Sequence, residues 1–117
     1  MSFIYLASPY TGETLEEMQE RYEKVMEHTA WMLDRSVTVY SPIMHCHNMA
    51  MKHTLPRSVD FWLYHDKNMI MASHELRILT LDRWRQSVGI KAEIKFARSI
   101  GLPITKVGFK TSLVEKL

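Results

Sequence analysis

Short apolar segments alternate along this chain with longer segments that have helical periodicity. The apolar segments predict strands at residues 2–7, 37–40 and 76–81, and a fourth strand from Ile104. Helix start signals occur at the capping box Thr14–Glu17, at 56–58 and at Ser87, while 43–52 is typical of a short helix or a loop. Strands separated by helices favour right-handed crossovers. The pattern therefore predicts a three-layer α/β/α fold with a parallel, flavodoxin- or Rossmann-like sheet of four to five strands.

Length and composition restrict the classes of protein to which this chain can belong. The chain has 117 residues, of which 46% are hydrophobic, which fits one domain over 1–117 with a single core. A net charge of +2 is too small to indicate binding of a nucleic-acid polymer. Cys46 is the only cysteine, so an internal disulfide is excluded. Nothing resembles a signal peptide or a long apolar span, so we expect a cytoplasmic protein with no membrane partner.

The helix that follows Ser87 has a carboxylate on its apolar face. Glu93 shares that face with Ile90 and Ala97, at intervals of three and four residues. Such a carboxylate is costly unless it has a partner. Gly89 lies one turn earlier on the same face and leaves a hollow beside Glu93. Ser87 is the expected N-cap, and a helix start attracts anions, so the motif predicts a phosphate cradle next to a buried nucleophile. The alternative is that Ser87 is only a cap.

Polar loops follow the predicted strands. In parallel α/β sheets, ligands bind beyond the carboxyl ends of the strands, so these loops are expected to surround one pocket with Glu93 at its floor. The candidate substrate-binding residues in the loops are Ser8, Pro9, Tyr10, Ser41, His45, Asp82 and Trp84, in addition to Ser87 and Gly89.

Several of these loop positions have two interpretations. Either His45 or His47 is expected to line the pocket, with Cys46 packed inward. Arg83 or Arg85 could reach a phosphate and Trp84 could stack on a base, or the arginines could be solvated. Asp82 could act on the sugar or simply end a strand.

The histidines next to Cys46 raise the question of a metal site. His45, Cys46 and His47, with His53 further along, offer the imidazole and thiolate ligands that zinc prefers. Three adjacent residues seldom all reach one ion, and the sequence lacks a second cysteine. We therefore expect neither a metal nor a cofactor, and a structural role for His65 and His74.

Several motifs together resemble the nucleoside deoxyribosyltransferase-like superfamily. They are Ile4–Tyr10 at the start, an aspartate on the helix before the third strand, Ser87-x-Gly89-x-x-x-Glu93, and Gly101-x-Pro103. This superfamily includes the 2'-deoxynucleoside 5'-monophosphate N-glycosidases and the CMP hydrolases. The resemblance extends over nearly the whole chain up to about Ile104.

The resemblance implies a role for each matched residue. Glu93 would be the nucleophile that attacks the anomeric carbon, and Tyr5 would orient its carboxylate. Asp66, or less favourably Asp60, would contact the sugar and assist the leaving base. Ser87 would receive the 5'-phosphate, whereas the transferases carry aspartate there. Pro9 departs from the small polar or glycine residue usual in the nucleotide hydrolases.

The function that the resemblance implies is cleavage of the N-glycosidic bond of a nucleoside or 2'-deoxynucleoside 5'-monophosphate through a glycosyl-Glu93 intermediate. Two alternatives stay open: transfer of the sugar between bases, and a nucleotide-binding module without turnover. The resemblance also implies a homodimer or a larger even-numbered oligomer, with the tail at 108–117 packed on a partner. A frayed terminus is the competing interpretation of that tail.

Overall fold

A single sheet forms the centre of the computed structural model, which describes residues 2–56 and 58–117. Within those residues the strand order is β2-β1-β3-β4-β5. The strands are β1 (Ile4–Ala7), β2 (Val39–Tyr40), β3 (Glu75–Leu79), β4 (Ile104–Val107) and β5 (Val114–Lys116). The first four run parallel and β5 pairs antiparallel with β4. This is the flavodoxin-like order, and the predicted α/β class is confirmed.

Four helices and one short turn connect the strands of the described chain. They are α1 (Leu15–Asp34), α2 (Pro42–His53), α3 (Val59–Ala72) and α4 (Val88–Ser99), with a 3-10 turn at Trp84–Gln86. Each helix begins after a hydroxyl side chain that accepts a backbone N–H of the first turn, from Thr14, Ser41, Ser58 and Ser87. Position 57, within the predicted start of the third helix, lies outside the described residues.

Segment 43–52, for which the sequence predicts either a short helix or a loop, is helical. Ser41 caps α2 and Pro42 takes its first position, where a missing N–H costs nothing. The same Ser-Pro pair that ends β2 thus begins α2.

Different helices pack on the two faces of the sheet. Ile4 and Leu6 of β1 pack with Val25 and Met32 of α1 on one side. Tyr5 and Ala7 of the same strand point to the opposite side and pack among residues of α3 and α4, including Ile70, Ile90 and Ala97. Alternation along β1 therefore places Tyr5 on the face where α4 buries Glu93.

Part of the C-terminal tail forms a strand, so the interpretation as a frayed terminus is wrong, while its packing on a partner stays a prediction. Residues 114–116 form β5, with Val114 opposite Val107 and Lys116 opposite Thr105. All three residues of β5 are exposed, so this short strand lacks the buried apolar pattern that predicts a strand from sequence.

None of the helices in the described ranges has the length and hydrophobicity that a membrane-spanning helix needs.

Candidate active site

Two buried carboxyl groups and a tyrosine lie together where α3 and α4 cover β1. Glu93 of α4 is only 7% exposed, and Tyr5 of β1 is fully buried. The Tyr5 hydroxyl donates a short hydrogen bond to Oε2 of Glu93. The inward orientation predicted for Glu93 is thus present, and its partner comes from the central strand.

Asp66 of α3 is the second carboxyl group of the site. It is 9% exposed, and among the described residues its Oδ1 has no hydrogen-bond partner. Burial raises the pKa of Asp66 to about 6, and the nearby Tyr5 hydroxyl offsets part of that effect. The carboxyl group therefore titrates close to neutral pH.

Glu93 is perturbed more strongly than Asp66. Burial raises the pKa of Glu93 to about 8; the Tyr5 hydrogen bond opposes this shift, and the charge of Asp66 adds to it. The pKa of Tyr5 lies well above its ordinary value, first because the phenol is buried and second because Glu93 is next to it. Tyr5 therefore keeps its proton and acts as a donor to the carboxylates.

A cavity of about 500 Å³ opens above this group. Glu93 and Asp66 lie in its wall, together with residues from the end of β1, from α2, from α3 and from the start of α4. The polar wall includes Ser8, Tyr10, Thr11, His47, Gln86 and Ser87. Its position beyond the carboxyl ends of the strands is the usual ligand site of such sheets.

The start of α4 forms one end of the cavity. Ser87 Oγ accepts the N–H of Ile90 at 3.2 Å, so Ser87 is the N-cap that the sequence predicts. A Cβ built on Gly89 would lie 3.8 Å from Ser87 Oγ and would meet no nearer atom. The hollow at Gly89 is therefore open space, and the backbone there can approach a ligand.

Two arginines and a buried serine lie near the end of the cavity that the start of α4 forms. Ser8 is 9% exposed, lines the cavity, and has no hydrogen-bond partner for its Oγ among the described residues. A side pocket of about 210 Å³ shares Thr11, Gln86 and Ser87 with the cavity and adds Arg21 and Arg83 to its wall. Arg83 pairs with Glu17 at 3.1 Å, and Arg21 donates to the Thr11 carbonyl at 2.5 Å. Arg83 thus lies near Ser87 with its side chain 55% exposed, and its contact with a phosphate stays a prediction.

Five of the predicted loop residues lie outside the cavity wall. Ser41 is buried because its side chain caps α2, and Pro9 is buried against the core. Asp82 is exposed. Trp84 packs on the core that contains Ile90, under the guanidinium of Arg85 at 4.7 Å. The fifth residue, His45, is also exposed.

His47, rather than His45, faces the cavity. Its Nδ1 is 2.5 Å from the Tyr10 hydroxyl, and its ring stacks on Tyr22 with centroids 4.1 Å apart. Two residues along a helix turn a side chain by more than half a circle, so His45 points elsewhere. Asp60, the second candidate for the family aspartate, is exposed and absent from the cavity wall.

An apolar wall of the cavity was not predicted from the sequence. Val59, Trp62 and Leu63 lie on the face of α3 that also presents Asp66, and Met51 adds to this wall from α2. The spacing of three, four and seven residues from Val59 could have identified this face, because it places all four α3 side chains on one stripe. Arg21 had no comparable signal, because it lies among many charged residues of α1.

Comparison with known proteins assigns the chain to a family without a described activity. No curated protein matches the sequence. Residues 2–108 match the model of a family described as a domain of unknown function, DUF1937. This match includes every strand from β1 to β4 and every residue of the site described above. The chain therefore belongs to the DUF1937 family.

Proposed function

We propose that this protein cleaves the N-glycosidic bond of a nucleoside or 2'-deoxynucleoside 5'-monophosphate and releases free base and sugar phosphate. The observation that supports this proposal most strongly is the buried Glu93, hydrogen-bonded to Tyr5 and placed beside the open hollow at Gly89. The resemblance of the sequence to the nucleotide N-glycosidases assigns the same residues to the same chemistry.

The polar end of the cavity suits the phosphate. The first amides of α4 have no partner within the helix, and the Ser87 hydroxyl still has a proton to donate. Ser8 Oγ, which has no hydrogen-bond partner within the described part of the chain, is a further polar group at this end. The guanidinium groups of Arg21 and Arg83 in the side pocket can donate hydrogen bonds to a phosphate, while Glu13 in the same wall and Glu17, paired with Arg83, balance their charge.

The apolar end suits the base. Trp62, Leu63 and Met51 provide a surface on which an aromatic ring can pack, and Asp66 lies on the same helix face as Trp62. A nucleotide held by its phosphate at Ser87 and by its base at this wall would have its sugar next to Glu93.

The proposed reaction has two steps. The Glu93 carboxylate attacks C1' of the sugar as the C1'–N bond breaks, and Asp66 supplies the proton that the leaving base takes up. A water molecule then attacks C1', gives its proton to Asp66, and releases the Glu93 carboxylate with the sugar phosphate. Two displacements at C1' give net retention of configuration.

The protonation of the pair determines when this reaction can run. With a pKa of about 6 for Asp66 and about 8 for Glu93, the pair holds one proton between these values. The first step requires this proton on Asp66 and an ionised Glu93. The Tyr5 hydroxyl acts on both carboxyl groups, and the positive charge that develops on the sugar favours ionised Glu93.

A second candidate function is nucleotide binding without turnover. The same arrangement of Tyr5, Ser87 and Glu93 around the cavity would also serve a protein that only binds the nucleotide. The two functions need the same pocket and differ in whether the glycosidic bond breaks.

The test is incubation with a panel of nucleoside and deoxynucleoside monophosphates, with chromatographic detection of free base. We expect base release in proportion to the protein, its loss in Glu93→Gln, and its retention in Glu20→Gln, which changes an exposed glutamate of α1. Tight binding by calorimetry without base release would support the binding module. A new nucleotide formed after addition of a free acceptor base would indicate transfer.

A further inference from the structure

A cluster of nitrogen and sulfur ligands lies between α2 and α3, next to the cavity. His45 and Cys46 of α2 and His65 of α3 each offer one ligand atom, and these atoms lie within 4.8 Å of one another. The rings of His45 and His65 are parallel within 7°, with centroids 6.0 Å apart. Cys46 is buried, His65 is half-buried, and His45 faces solvent.

We propose that His45, Cys46 and His65 bind one Zn²⁺ ion, with water in the fourth position. Tetrahedral zinc with bonds of about 2.3 Å to sulfur and about 2.0–2.1 Å to nitrogen holds its ligand atoms roughly 3.5 Å apart. The present spacing, at most 4.8 Å, must therefore contract by up to about an ångström. His45 is exposed, so its side chain has room to rotate toward the other two ligands.

The donor set favours a borderline or soft ion. One thiolate and two imidazoles suit zinc, cobalt or copper, whereas calcium and magnesium require oxygen ligands. Binding replaces the thiol proton of Cys46, which goes to solvent, so the loaded site has one net positive charge.

Tyr40 supplies an outer partner for this site. Its hydroxyl lies 3.1 Å from Nε2 of His65. A hydrogen bond from such a group orients a metal-binding imidazole. The hydroxyl therefore already holds one of the three ligands.

The third ligand comes from a different helix than the sequence suggested. His47 points to Tyr10 and Tyr22, on the other side of α2 from His45. His65 of α3, for which a structural role was expected, replaces it because its ring stacks beside that of His45. The cluster thus avoids the difficulty that three adjacent residues rarely reach one ion.

The test uses tag-free, reduced protein titrated with Co²⁺ as a spectroscopic probe for the zinc site. We expect saturation at one equivalent, visible bands typical of tetrahedral cobalt, and a thiolate-to-cobalt charge-transfer band in the near ultraviolet. Addition of Zn²⁺ should abolish all of these bands.

Variants distinguish the cluster from other histidines. Cys46→Ser should remove the charge-transfer band. His65→Ala and His45→Ala should each weaken cobalt binding by at least about tenfold, because loss of a residue that only hydrogen-bonds a metal ligand already lowers metal affinity by that much. His53→Ala, at the exposed end of α2, is the control and should bind as the unchanged protein does.

His45→Ala changes an exposed side chain, so it reports on binding even if the Cys46 or His65 variant fails to fold by circular dichroism. The proposal is overturned by the absence of a saturable spectrum, by a charge-transfer band that persists in folded Cys46→Ser, or by unchanged affinity in His45→Ala. It does not depend on nucleotide cleavage, because its readout is metal binding.

Discussion

Substitution of Gly89 by alanine should change stability and ligand binding in opposite directions. Gly89 is the second residue of α4, and an added Cβ would meet no protein atom nearer than Ser87 Oγ at 3.8 Å. Alanine in a helix is more favourable than glycine by about 0.5–1 kcal/mol. For a domain of this size that gain corresponds to a rise in Tm of about 2–4 °C.

The same methyl group would occupy the hollow that the proposed ligand needs. Because the space beside Ser87 is open to the cavity, the methyl group should clash with a bound nucleotide and not with the protein. Overpacking of a fitted contact costs about 1–3 kcal/mol, which weakens binding roughly 5- to 150-fold.

Differential scanning calorimetry and isothermal titration with a nucleoside monophosphate measure the two effects separately. Lys95→Ala, on the exposed face of α4, is the matched control and should leave affinity unchanged. If Gly89→Ala bound nucleotide as tightly as the unchanged protein, the ligand would not approach the start of α4, and the reasoning about this hollow would be refuted.

Three further predictions concern the carboxyl pair and its tyrosine. The kcat/KM for base release should be bell-shaped with pH, with limbs near 6 and 8, because the reaction needs the form of the Asp66–Glu93 pair that holds one proton; a rate profile that stays flat from pH 5 to 9 would contradict the coupled pair. Because the folded pKa of Glu93 is raised, the neutral side chain favours folding at acid pH and this contribution is lost as pH rises to about 8. The unfolding free energy of Glu93→Gln, minus that of the unchanged protein, should therefore be larger at pH 9 than at pH 5, as measured by denaturant unfolding at both pH values. An equal difference at pH 5 and pH 9 would argue against the raised pKa of Glu93. Tyr5→Phe should lower the unfolding free energy by about 1–3 kcal/mol, because Glu93 then lacks its buried donor, and guanidinium melts showing no loss would argue against that hydrogen bond.

The sheet and the helices could be predicted because their signals are local. The apolar strand before Ser8, the capping box at Thr14 and the Ser87 cap each mark an element within a few residues. β5 could not be found in this way, because its three exposed residues are held by pairing with β4 and not by burial. Pairing along one edge of the sheet, with the side chains exposed, leaves no periodic apolar pattern in the segment itself.

The site was partly predictable for a related reason. Glu93 was identifiable because a carboxylate on an apolar helix face needs a partner, and Gly89 and Ser87 lie within two turns of it. The choice between His45 and His47, and the displacement of Asp82 and Trp84 from the cavity, depend on how α2 and the loop before α4 pack. Such contacts between elements are set by the whole fold, so a short motif does not reveal them.

The central claim is that Glu93 forms a covalent bond to the sugar. The most direct measurement is mass spectrometry of peptides from an acid-quenched mixture of the protein and a cleavable nucleoside monophosphate. We expect the peptide containing Glu93 to gain the mass of the sugar phosphate, and we expect Glu93→Gln to abolish both this adduct and base release. Base release that persists in Glu93→Gln, with no adduct on that peptide in the unchanged protein, would contradict it.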